Sequence, residues 1–233
     1  MTGTRLNRGI VVAIYAAAMA WVESAVVFYL RTHINRIVPY QANPLPDFDQ
    51  FGAAELVREF ATLVMLFTVG WLAGTTWRGR VGYMSIAFGV WDIAYYVFLR
   101  VMTGWPASIF DWDILFLLPL PWWGPVWAPV AISILMIIWG GCAVGLELDR
   151  AAPGFRWSAI SVGAVGNLLA LYVFMADAIR VAPQGEQALR AMLPSQFHTA
   201  LFLLALVLMA VPVATAGIAW RRRKPIQPNV SPD

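Results

Sequence analysis

Six apolar runs, each of about the length needed to cross a hydrocarbon layer, constrain this chain more than any other feature. They cover residues 10–30, 54–74, 82–102, 124–146, 157–178 and 196–219. A hydrocarbon core of about 30 Å takes roughly 20 helical residues. Isolated strands would leave backbone groups unpaired in lipid, and none of the six runs alternates as a barrel strand would. The expectation is therefore an all-α polytopic membrane protein, a bundle of six transmembrane helices. Composition agrees: 60% of the 233 residues are apolar and 12% are charged, about half the charged share of a soluble domain. A cytosolic globular domain and a disordered chain are excluded. Cys142 is the only cysteine, so no intrachain disulfide scaffold is possible.

The net charge of +3 does not mark a nucleic-acid partner, because the basic residues do not gather in one patch. Arg5 and Arg8 precede the first run, Arg78 and Arg80 follow the second, Arg150 and Arg156 follow the fourth, and Arg221 to Lys224 follow the last. Alternate loops rich in Lys and Arg are the signature of cytoplasmic loops. The expected placement is the cell (inner) membrane, multi-pass, with both termini cytoplasmic and loops 31–53, 103–123 and 179–195 outside. The first run extends through Trp21 to Leu30, past signal-peptide length, and is read as a retained helix. Residues 1–224 form a single integral domain in this reading, and 225–233, with Pro225, Pro228 and Pro232, a disordered cytoplasmic tail.

Residues 111–127 depart from a simple loop. The apolar stretch between Asp113 and Pro119 is too short to span, and Pro119, Pro121 and Pro125 cannot share one continuous helix. The segment reads as a short interfacial or re-entrant helix over 113–120, capped by Asp111 or Asp113, and then a Pro-rich corner. Trp122, Trp123 and Trp127 would anchor that corner at headgroup depth.

The acids carry the functional signal. Of 13 Asp and Glu, only Glu147, Asp149 and Asp233 fall on the cytoplasmic side of this topology. Glu23 lies eight residues before Arg31, and Asp92 eight before Arg100, so both carboxylates sit about 12 Å below those arginines. Intramembrane ionisable groups are costly unless paired or solvated and are functional candidates by default. Glu55 and Glu59 share a face at i, i+4, with Thr62 below them, and Asp92, Tyr96 and Arg100 form an i, i+4, i+8 stripe. The candidate site is a funnel of Glu23, Glu55, Arg58, Glu59, Asp92, Tyr96 and Arg100, opening away from the cytoplasm. Glu59 with Arg58 or Arg100, and Asp177 with Arg180, are equally readable as structural ion pairs, and Ser195 as the cap of the last helix.

Three functions follow from different classes. The first is binding or transport of a cation or small solute, with Glu23 and Asp92 as acceptors and proton carriers. The second is a metal-dependent enzyme acting on a lipid-borne substrate, whose divalent metal would be held by Glu23, Asp92, Glu59 and His198. Two histidines without an HExxH or clustered cysteines make that a poor ligand set. The third is a non-catalytic subunit or assembly factor packing on membrane-protein partners or on its own copies. A haem on His33 and His198 is disfavoured without an attachment motif.

Overall fold

The computed structural model describes residues 2–41, 52–117, 119–147 and 156–222. The long helices are α1 (Thr2–His33), α2 (Gly52–Ala73), α3 (Trp77–Thr103), α4 (Trp127–Gly145), α5 (Trp157–Val181) and α7 (Thr199–Arg222), with a short α6 (Glu186–Ala191) before the last. All six long helices are long and apolar enough to cross a membrane. The expected six-helix membrane bundle is thus present. The proline-containing tail at 225–233 lies outside the described residues.

The packing suits lipid as the outer solvent. Large apolar side chains such as Leu72, Val101, Leu168 and Val207 are exposed on the outside, while the interior uses small residues and aromatics. Such a surface far exceeds the apolar patches of soluble monomers. Helices in lipid gain from close approach rather than from burial of apolar area, which favours small residues at their contacts. The α3–α4 contact shows this: a Cβ on Gly140 would stand 2.5 Å from the carbonyl oxygen of Gly82, and one on Gly89 would stand 2.6 Å from that of Ser133. Helix α3 is the hub, packing on α1, α2 and α4, while α7 joins α4 to α5.

Helix α3 begins five residues before the expected 82 because polar groups start it where hydropathy is silent. The Thr76 hydroxyl accepts from the Gly79 N–H at 3.1 Å. Glu147, just beyond α4, accepts from the N–H groups of Thr75 at 2.6 Å and Thr76 at 2.9 Å and from the Thr75 hydroxyl at 2.8 Å. A carboxylate there neutralises orphan donors and the positive end of the helix dipole. It also ties the end of α4 to the α2–α3 turn.

The segment before α4 is a correction. In place of a short helix, Trp112–Phe116 (β1) and Trp122–Pro125 (β2) form an antiparallel hairpin pairing Asp113 with Gly124 and Ile114 with Trp123. Aromatic and β-branched residues flanking a Pro-containing turn favour paired strands. The tryptophans also point to a different use from headgroup anchors. Trp123 is buried, Trp122 stacks on Phe174 with ring centroids 6.3 Å apart, and Trp127 meets Phe197 and Phe202 edge-on. Non-helical backbone is tolerated at membrane depth only inside protein or along a cavity, and the hairpin meets that condition.

Candidate functional site

The hairpin sits at the end of the bundle reached by the C-termini of α1, α3 and α5, and beneath it lies a cavity of about 710 Å³. Among the described residues, six carboxylates (Glu23, Glu55, Glu59, Asp92, Asp113, Glu186) and three guanidiniums (Arg31, Arg36, Arg58) line it. Much of the remaining wall is aromatic, including Trp91, Tyr95, Tyr96 and Trp122. Six of the seven residues expected in the funnel therefore border one space: Glu23, Glu55, Arg58, Glu59, Asp92 and Tyr96.

The three arginines are engaged by protein groups. Arg58 from α2 bonds the Glu55 carboxylate through Nε at 2.9 Å and Nη2 at 2.8 Å, and its Nη1 meets the Glu23 carboxylate of α1. The Thr62 hydroxyl donates to the second oxygen of Glu23 at 3.2 Å. Arg36 donates to the Pro39 carbonyl at 3.0 Å.

Arg31 meets Asp113 at 2.7 Å, and this pair joins the end of α1 to the hairpin. The Arg31 guanidinium also lies 4.4 Å from the Trp105 ring centroid. Burial pushes the Asp113 carboxyl up, while Arg31 and the Ile114 N–H pull it back. This pair was not legible in the sequence, where Asp113 reads as a helix cap and Arg31 as a marker of depth.

Asp92 and Glu59 accept hydrogen bonds from neutral donors. Asp92, buried on α3, accepts from the Ser133 hydroxyl of α4 at 2.8 Å. Glu59, buried on α2, accepts from the Leu117 N–H of the hairpin turn, with both oxygens at 3.2 Å. Glu23 and Asp92 thus border the same cavity but address different partners, the first Arg58 and Thr62, the second Ser133. The indole N–H groups of Trp91 and Trp122, both of which line the cavity, are buried without an acceptor among the described residues.

Several expected members stand elsewhere. Arg100 is exposed and donates to the Pro106 carbonyl. An eight-residue step turns about 80° around a helix, so the stripe drawn through Asp92, Tyr96 and Arg100 leaves the cavity face at its last member. His198 is exposed ahead of α7 and His33 is exposed at the end of α1, and neither borders the cavity. Ser195 does not cap α7. Its N–H and hydroxyl both donate to Asp177, which also pairs with Arg180 at 2.7 Å. Among the described residues no three of His, Cys, Asp and Glu converge as metal ligands, so the set of Glu23, Asp92, Glu59 and His198 is not assembled. Ser133, Tyr95 and Asn167, which the sequence reading left outside the funnel, do border the cavity. A lone Ser within the apolar run of α4 was the available sign of the first.

No protein-family model, no curated protein and no solved structure matches the chain.

Proposed function

We propose that this membrane protein binds a small organic cation in the cavity beneath the hairpin, as the recognition step of transport, with Asp92 and Glu59 as its acceptors. The observation that carries this reading is the charge balance of the lining: carboxylates outnumber guanidiniums two to one, and all three guanidiniums already have partners. A carboxylate as deep as Asp92 costs several kcal/mol unless a cation or a proton offsets its charge. Holding one or the other in turn would couple solute to protons, with Glu23 held ready by Arg58 beside the path. A volume of about 710 Å³ lies within the roughly 300–1,000 Å³ of small-molecule sites and is much larger than a cage for a bare ion. The faces of Trp91, Tyr95, Tyr96 and Trp122 offer the cation–π contacts that organic cations use.

The orientation belongs to the same proposal. Arg78, Arg80, Arg156, Arg221 and Arg222 lie at the bundle end away from the hairpin, which the positive-inside rule assigns to the cytoplasm of a cell membrane. The cavity then faces outward.

The test is a binding titration of the purified protein, in lipid nanodiscs, with tetramethylammonium and its neutral tert-butyl analogue. The ammonium ion should bind and the neutral analogue should not. Asp92→Asn should lose that binding while unfolding at a similar denaturant concentration. Equal binding of the two probes, or full binding by Asp92→Asn, would refute the proposal.

A further inference from the structure

We infer that the cavity opens sideways into the hydrocarbon layer between α2 and α5, below the hairpin, and that its occupant is a long-chain amphiphile. The head of this ligand would carry a cation with an oxygen acceptor beside it. The inference rests on the cation reading above and adds the route and the chemical class.

The helix arrangement supplies the opening. The cavity wall draws on Glu59 and Thr62 of α2 and on Asn167 and Leu171 of α5, yet α2 packs on α3 and α1 and does not lie along α4 or α5. Around α3, at about 100° per residue, Phe88 and Asp92 fall between the side where Met84 meets Gly70 of α2 and the side where Gly89 meets Ser133 of α4. These two cavity residues therefore look into a gap between helices. The hairpin spans that gap only at its outer end, through Leu117 on Glu59 and Trp122 on Phe174.

The lining below the hairpin supplies the chemistry. Phe88, Ile132, Met136 and Leu171 give an apolar lower wall. Asn167 stands there as an exposed amide near the middle of its 25-residue helix. Its side-chain N–H donates to the Gly163 carbonyl at 2.9 Å, and its oxygen has no partner among the described residues. An amide so placed would be costly against pure hydrocarbon and is explicable on the rim of a passage. Carboxylates above, acceptor-seeking indoles of Trp91 and Trp122 beside them, and an apolar lower wall together match an ammonium head, an adjoining ester, hydroxyl or phosphate oxygen, and an aliphatic chain. A lipid headgroup and a free acylated amine share that chemistry.

The experiment uses the full chain in phosphatidylglycerol vesicles with a palmitoylcholine probe carrying a diazirine midway along its chain. Photo-adducts should map to the 132–136 and 167–171 segments. Asn167→Trp and, independently, Leu171→Trp should lose these adducts while still binding tetramethylammonium, which reports that the head site and the fold survive. Adducts elsewhere, or adducts undiminished in both variants, would overturn the side opening and leave the cation reading standing. Probe binding that persists in Asp92→Asn would overturn both. Competition by a two-chain phosphatidylcholine identifies bilayer lipid as the source, and its failure identifies a free single-chain amphiphile.

Discussion

Replacing Asp113 by Asn should be among the most damaging isosteric changes in the protein. The pair it breaks has N–O contact at 2.7 Å and side-chain exposures of only 11% for Arg31 and 1% for Asp113. Exposed ion pairs contribute about 0–1 kcal/mol, whereas removing one partner of a buried pair costs about 3–5 kcal/mol, because the survivor is left uncompensated. Asn matches Asp in volume, so no cavity term enters and the loss reports electrostatics alone. The reverse change, Arg31→Met, should cost less, because Asp113 can take up a proton and a guanidinium cannot give one up. Its cost should also depend on pH. Burial already pushes the Asp113 carboxyl up, and losing Arg31 raises it further above the value of about 3.9 in the unfolded chain. A raised folded value favours the native state only at pH below it. Arg31→Met should therefore recover stability as pH falls toward about 4 and lose it as pH rises. The double change Arg31→Met with Asp113→Leu should approach the parent protein. Equilibrium unfolding in mixed micelles, followed by tryptophan fluorescence, gives all four corners of the cycle. An Asp113→Asn cost below about 1 kcal/mol, or a double variant as unstable as the two singles combined, would refute the reasoning.

Glu147→Gln keeps the shape of the cap on the α2–α3 turn but removes its charge, and should cost about 1–3 kcal/mol. Faster amide exchange at residues 75–79 would locate the loss, and unchanged exchange there would count against the cap. A reporter fused after Asp233 should be active only in its cytoplasmic form, and activity outside would reverse the proposed orientation.

The spans were legible because 20 apolar residues in a row have few other uses, and lipid leaves the backbone no alternative to helix. Their ends were not. The start of α3 depends on Glu147, some 70 residues away, and the first residues assigned to the fourth span, 124–125, belong to β2. The hairpin escaped because a short apolar run does not distinguish helix from strand until its partner is known. Within the site, residue depth is readable from helix rise, which picks out Glu23 and Asp92, and i, i+4 spacing picks out Glu55 and Glu59. Pairing is not readable, because it depends on how neighbouring helices are rotated. Arg58 reaches back to Glu55 and across to Glu23, Arg100 turns away to Pro106, and Asp113 meets an arginine 82 residues earlier in the chain.

The anchoring of the hairpin has a consequence for biogenesis. Its polar attachments, Arg31 on α1 and Glu59 on α2, both precede it in the chain. Helices α1 to α3, which pack on one another, precede it as well. Synthesis proceeds at about 5–20 residues per second, whereas a hairpin closes in about 1–10 μs. The two strands can thus close and dock on the first three helices ahead of the packing of α4, α5 and α7. Helices α4, α5 and α7 would then close around a hairpin already seated. Lesions at Arg31 or Glu59 should accordingly lower the yield of folded protein during synthesis in addition to weakening the finished fold.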